Sequence, residues 1–216
     1  MARETAQSPS RYYYRNASPI TAAPYTIASW AYSTNRSISQ NVFCINRQGQ
    51  NNDSLGLVLV ASPNPAVVDF FSVSGGVGRT AKTVNTYSLN TWQHVCGVAA
   101  SATDRKVYLN GDTSNKGTST DSSVPNSLNR VTLGAWFGSA VGDRVVGGIA
   151  ECALWNVALT EGEVVSLSTG MAASRIRPQS LVFYFPGIRE VIDLKNSSAI
   201  TSVGTPGVIA HPRIYV

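Results

Sequence analysis

His94 and Cys96 stand one residue apart in "NTWQHVCGVAASATDRKVYLNGD", residues 90–112. Side by side, such a pair could form half of a zinc site, or a thiol nucleophile with its base. Zinc needs at least three protein ligands, and the only other histidine is His211, near the end of the chain. Cys44 and Cys152 lie in separate apolar runs, and no Cys-x-x-Cys spacing occurs. A cysteine nucleophile needs an exposed thiol of lowered pKa and a third group to orient its base. In "WQHVCGV", Trp92, His94, Cys96 and Val98 share one face of an extended strand, and Gln93, Val95, Gly97 and Ala99 share the other. The pair reads as part of a strand packed on both faces.

Strands are also what the rest of the chain offers. Charged residues make up 13% of the 216, about half the usual share. Ser, Thr, Asn and Gly fill the gap, which suits short strands joined by polar turns. The 43% apolar content is enough for a core, and the length fits one full-sized domain. The net charge of +5 comes from 17 scattered Lys and Arg residues with no basic run, so no nucleic-acid partner is expected. No stretch resembles a signal peptide or a membrane span, which points to a reducing cytoplasm and no membrane partner. Three cysteines, each inside an apolar run, fit free buried thiols in that setting.

Apolar runs broken by turn residues predict strands at "YTIASWAYS" (25–33), "NVFCINR" (41–47), "GLVLVAS" (56–62) and "AVVDFFSVSG" (66–75). "TWQHVCGVAA", "KVYLNG", "RVTLGAWFG", "VVGGIAECALW" and "SLVFYFP" continue the series. Asn110-Gly111 is a favoured hairpin pair, and "SGGVGRTAKT" reads as a flexible hairpin loop with no phosphate-loop motif. The one predicted helix lies in "LTEGEVVSLSTG", where Thr160 and Glu163 form a capping box and Gly170 ends the run. Residues 1–20 show no strand-length alternation and are expected as an N-terminal arm. Within it, "RYYYRN" places Tyr12, Tyr13 and Tyr14 together, and three adjacent tyrosines cannot share one strand face. They either contact a neighbouring subunit or pack on their own domain.

Three blocks, in order, resemble the laminin-G-like, concanavalin-A-like lectin/glucanase superfamily. "YTIASWAYS" resembles its early strand. "NTWQHVCGVAASATDRKVYLNGD" resembles its Trp-x-His-Val strand and hairpin. "VTLGAWFGSAVGDRVVGGIAECALWNVALTEGEVVSLSTG" resembles its closing strands and short helix. "SLVFYFPGIREVIDLKNSSAITSVGTPGVIAHPRI" is similar to an opening strand of such domains, here placed last. The resemblance implies an all-β, concanavalin-A-like jelly-roll sandwich of two antiparallel sheets with one short helix. The sandwich is expected over 21–175. Residues 176–216 are expected as a C-terminal extension, serving as edge strands or as a docking arm.

Glycosidases of this superfamily carry carboxylates at alternate positions of one strand, flanking the sugar bond. Among the 12 acidic residues only Glu161 and Glu163 are spaced by two, and they fall in the helix's first turn. No enzyme is therefore expected. Other members hold calcium through loop oxygens. "NRQGQNNDS" and "NGDTSNKG" could supply them, though turns are rich in Asn and Asp anyway, and no cofactor is expected beyond that candidate. Trp136, in "GAWFGS", is the best candidate for a glycan contact. The leading expectation is a structural protein of a bacteriophage particle, a capsid decoration or a tail component. It would assemble in the host bacterial cytoplasm as a homo-oligomer with other virion proteins. Tyr12, Tyr13, Tyr14, His211 and Tyr215 are the candidate assembly contacts. The alternatives are a module recognising a surface glycan and a glycoside hydrolase whose carboxylates converge from separate strands.

Overall fold

The computed structural model describes residues 2–6, 11–62, 64–188 and 191–215. Pro63, and Glu190 of the 12 acidic residues, lie outside them. The first sheet runs β10 (Gly117–Ser119), β9 (Asp104–Leu109), β8 (Trp92–Ser101), β3 (Tyr25–Ser33), β14 (Gly147–Trp155), β1 (Ala2–Thr5), β19 (Val208–Ile209). Its eighth strand, β15 (Leu181–Phe185), lies on the same side of β14 as β1. There β1 pairs with Gly147–Ile149 and β15 with Cys152–Trp155. The second sheet runs β18 (Thr201–Val203), β2 (Tyr12–Arg15), β11 (Arg130–Leu133), β4 (Gln40–Asn46), β5 (Ser54–Leu59), β6 (Val68–Ser74), β7 (Val77–Lys82). Two small hairpins stand apart, β12 (Trp136–Phe137) with β13 (Val141–Gly142) and β16 (Ile192–Asp193) with β17 (Ser198–Ala199). With α1 (Glu161–Ser168) this is the expected all-β jelly-roll sandwich of two antiparallel sheets.

Alternation along each strand builds the core between the sheets. Ile27, Val95, Val107, Ile149, Phe183 and Phe185 of the first sheet meet Tyr13, Phe43, Ile45, Leu55, Leu57 and Phe70 of the second. Each such buried side chain stabilises the fold by about 1.5–3 kcal/mol. Phe43 and Phe183 pack at 5.7 Å between ring centres, and Tyr13 and Phe185 at 5.3 Å. Gly97 lets the sheets approach this closely, since a Cβ there would lie 2.6 Å from the Phe70 ring.

A second apolar layer covers the outer side of the first sheet. Ala28, Cys96, Val98, Tyr108, Ala153 and Trp155 pack beneath Leu159, Val164 and Leu167 of the helical segment and beneath Ala173 and Ile176 beyond it. The helix begins where predicted. Thr160 Oγ1 accepts from the Glu163 backbone N–H at 3.3 Å, and Glu163 Oε2 accepts from that of Thr160 at 2.7 Å.

The N-terminal residues pair into the sandwich where an arm was expected, and the C-terminal residues take the edge-strand alternative. Residues 2–5 and 12–15 add one strand to each sheet, while β15, β18 and β19 bring the last forty residues back onto β14, β2 and β1. The boundaries expected at residues 20 and 175 therefore fall inside one sandwich. These strands are mostly four residues or fewer, too short for alternation to announce them, and partners far along the chain fix them instead. "SGGVGRTAKT" also differs from the expected loop. Gly75 and Gly76, at φ +57° and +83°, make the turn, and the rest is edge strand β7 paired with β6. The run "RVTLGAWFG" is split by Gly134 at φ +74° into β11 and β12.

Candidate functional site

His94 is 2% exposed and packs edge-on to Trp30, with ring centres 5.4 Å apart. Burial lowers its pKa to about 3, so it is neutral at physiological pH. Cys96 lies under the same apolar layer, and burial pushes its thiol far above the usual range. Burial also raises Cys44, and Cys152 to about 12. None of the three presents a thiolate near neutral pH. Among the described residues no group of three or more His, Cys, Asp or Glu side chains could hold a metal. Of the loop oxygens considered for calcium, Asp112 Oδ1 closes its own turn, accepting from the backbone N–H groups of Ser114 and Asn115 at 2.9 and 3.0 Å. Asp53 Oδ1 ties its loop to a distant segment, accepting from the Asn126 backbone N–H at 3.1 Å.

Among the described residues no helix lies over the outer side of the second sheet, and the β12–β13 hairpin reaches across part of it. Phe137 fixes that hairpin. It packs edge-on to Tyr12 and Tyr14 at 5.7 and 5.6 Å, and the Arg130 guanidinium lies 3.9 Å from its ring centre. The Asn46 side-chain amide also donates to the Phe137 carbonyl. Trp136, one residue earlier, is turned instead toward a cleft of about 340 Å³, shared with Asn41, Asn51, Ser54, Val58, Phe71, Val73 and Asp143. Ser54 and Val58 alternate outward on β5, as Phe71 and Val73 do on β6. Trp136, Phe71, Val58 and Val73 are each half-buried. Gly138 keeps the hairpin close to the loop below, because a Cβ there would meet Asn51 Oδ1 at 2.4 Å. Asn51 Oδ1 accepts from the Ser139 backbone N–H at 2.8 Å.

Two carboxylates share this face, from separate elements. Asp143 lines the cleft, receives the Asn41 backbone N–H at its carbonyl at 2.7 Å, and has its carboxyl pKa raised by burial. Asp69 stands opposite Val58, which stands opposite Asn41, so the three form one row across β6, β5 and β4. Burial raises the Asp69 carboxyl, while Lys82 at 3.3 Å works in the other direction. Counting acids along single strands could not find this pair. Asn41 is 4% exposed, and its Oδ1 has no hydrogen-bond partner among the described residues. Such a cleft offers an aromatic platform with amide, hydroxyl and carboxylate groups at its edge. Those are the elements that hold a small polar ring.

The candidate assembly contacts end up in different places. Tyr13 is fully buried in the core and unavailable to a partner, a correction that follows from strand alternation through "YYY". Tyr12 and Tyr14 face outward but are packed against Phe137. His211 is tied into its own fold. Its Nδ1 lies 2.8 Å from the Pro212 carbonyl, and its Nε2 3.2 Å from that of Pro186 and 3.3 Å from Glu151 Oε1. Burial works to lower the His211 pKa, but bonding to Glu151 and the two carbonyls raises it above the ordinary value. Glu151 sits at a bulge in β14 at φ +52° and also accepts from the Tyr184 hydroxyl at 2.5 Å. Tyr215 alone is exposed, at 58%, beside Met171. One group escaped the sequence reading. Trp30, Tyr32 and Trp92 are half-buried on the outer side of the first sheet, and Trp92 Nε1 donates to the Ala210 carbonyl at 3.0 Å. Their alternate spacing along β3 and β8 was the available signal.

Two antiparallel sheets, one backed by a helix and the other open with an aromatic cleft, define a lectin-type sandwich. The chain belongs to the concanavalin A-like lectin/glucanases superfamily, whose laminin G model matches residues 8–165. A search of curated protein sequences gives no match. Among solved structures, a putative carbohydrate binding protein from Bacteroides ovatus is similar over 98% of this chain and 60% of its own, at 14% identity and a TM-score of 0.66. The heptameric SAP-like pentraxin from Limulus polyphemus is similar over 95% and 91%, at 15% identity and 0.62. The CBM40 of Ruminococcus gnavus IT-sialidase, bound to α2,3-sialyllactose, is similar over 78% and 94%, at 13% identity and 0.59.

Proposed function

We propose that this protein is a non-catalytic glycan-binding module whose binding surface is the Trp136 cleft. The observation that carries this reading is the half-buried Trp136 in one cleft with Phe71, Asn41, Asn51, Ser54 and Asp143, on a broad sheet face that no helix among the described residues covers. A pyranose ring stacks on an aromatic side chain through its C–H groups, while its hydroxyls bond to amides and carboxylates. Fold relatives described as a putative carbohydrate binding protein and as a sialyllactose-bound module lend support to this reading. A role as a subunit of a virus particle rests on the cytoplasmic reading of the free cysteines, on the missing carboxylate pair within one strand and on the terminal extensions. Strands β1, β2, β18 and β19 pair within this chain, which weakens the third of these alone.

The experiment is glycan-array binding by the wild type, Trp136→Ala and Trp30→Ala. The reading expects saccharide binding that Trp136→Ala abolishes and Trp30→Ala keeps. Absence of binding by the wild type, or loss with Trp30→Ala alone, would overturn it. Glycan hydrolysis is the competing reading, motivated by Asp69 and Asp143 on one face. Turnover of array hits that disappears in Asp143→Asn would establish it instead.

A further inference from the structure

The Trp136 cleft carries one formal charge and nothing to balance it. Asp143 is the single ionisable side chain among its described lining residues, and the rest are amide, hydroxyl, aliphatic or aromatic. Asp143 is exposed, so a ligand can reach it. Its Oδ2 accepts from Asn41 Nδ2 at 3.5 Å and its carbonyl from the Asn41 backbone N–H at 2.7 Å, which hold the residue at the edge of the cleft. No ion pair among the described residues includes it. Its surroundings keep enough water away to raise the carboxyl pKa, and no cation works in the other direction.

Asp69, on the same outer face, shows the contrast. Lys82 lies 3.3 Å from its carboxylate and opposes the rise that burial causes. Arg144 follows Asp143 in the chain and could have served it in the same way. Its guanidinium carbon lies instead 5.9 Å from the Tyr12 ring centre, and Arg144 does not line the cleft. A carboxylate partly stripped of water and left without a cation costs free energy that an incoming cation recovers. The same cleft presents Trp136 and Phe71, side chains whose ring faces attract cations.

We infer, resting on the glycan-binding reading, that the cleft selects an amino sugar, its ammonium on the Asp143 carboxylate, and disfavours acidic sugars. A neutral pyranose gains stacking and hydroxyl bonds alone. A protonated amine in place of one hydroxyl adds a charge-assisted bond and an attraction to the rings. A sugar carboxylate meets Asp143 with no cation in the described lining to offset the repulsion.

The test titrates matched sugars into the whole protein and follows the Trp136 indole shift. Glucose is paired with glucosamine, galactose with galactosamine and mannose with mannosamine, and glucuronate serves as the acidic counterpart. At about pH 6 the amines are protonated and the carboxylates ionised. The amino sugar is expected to bind at least about threefold tighter than its hydroxyl twin, and glucuronate more weakly than glucose. Asp143→Asn should bring the amine-to-hydroxyl ratio close to one. Asparagine tolerates the φ of +45° that Asp143 holds, so the variant keeps the backbone. In the wild type, about 0.5 M salt should shrink the ratio without any substitution. Equal or weaker binding of the amino sugars, a ratio indifferent to salt, or a preference that survives Asp143→Asn would overturn the inference and leave a cleft for neutral glycans. Binding on the array with no indole shift from any of these sugars would overturn it as well, whereas a silent array would overturn the glycan-binding reading itself.

Discussion

On the outer side of the first sheet, α1 and the segment after it cover Cys96, Val98, Tyr108 and Trp155, while His94 is sealed beside Trp30. On the outer side of the second sheet, at the same alternate positions, stand Asn46, Ser54, Val58, Asp69, Phe71 and Val73, and among the described residues only a short hairpin reaches over them. The contrast locates chemistry by burial. Where the outer face is covered, the Cys96 thiol and the His94 imidazole are driven to their neutral forms and serve as packing. Where it is open, a tryptophan with no such cover lines a cleft between polar groups. The residue types that looked most reactive in the sequence are the inert ones.

The contrast can be broken first at its covered side. Trp155 is fully buried and its Nε1 donates to the Ile176 carbonyl at 2.8 Å. Trp155→Ala should cost about 3–5 kcal/mol in chemical denaturation, and a loss under 1 kcal/mol would mean that the helical layer is loosely held.

The two histidines give the next largest effect, with opposite signs. His94 has a folded pKa of about 3, below its unfolded value, so the unfolded chain alone takes up a proton below about pH 6.5. Stability should therefore fall as pH drops from 6.5 toward 4, by up to about 1.4 kcal/mol per pH unit from this residue. His94→Gln should flatten that slope. His211 has its pKa raised in the fold, so its contribution is full below about pH 6.5 and is lost as pH rises through the folded value. His211→Gln should remove that loss on the alkaline side. Unchanged slopes in both variants would show that neither ring senses the surroundings described.

Smaller effects sharpen the comparison. Thr160→Ala removes the helix cap and should cost about 1 kcal/mol, with the Trp136 cleft unaffected. Trp136→Ala, at a half-buried position, should change stability by less than about 1 kcal/mol while abolishing saccharide binding. A large loss of stability would make Trp136 a core residue and not a platform.

Much of this architecture was legible in the sequence where strands are long. "YTIASWAYS" coincides with β3, and the Thr160–Glu163 box starts α1. Alternation within a strand, and the cap of a helix, are local physical signals. Strands of two to four residues at the termini carry no such signal, because only a distant partner's backbone defines them. The cleft was legible in part. Trp136 stood out as an aromatic near a Gly/Ser loop. Its companions Asn41, Phe71 and Asp143 come from three other segments, and only sheet register brings them together.

The most direct measurement is amide-shift mapping during titration with the best-binding oligosaccharide from the array. The account predicts shifts at Asn41, Ser54, Phe71, Val73 and the Trp136 indole. Shifts clustered instead at Trp30, Tyr32 and Trp92 would contradict it, because the ligand would then sit on the other sheet.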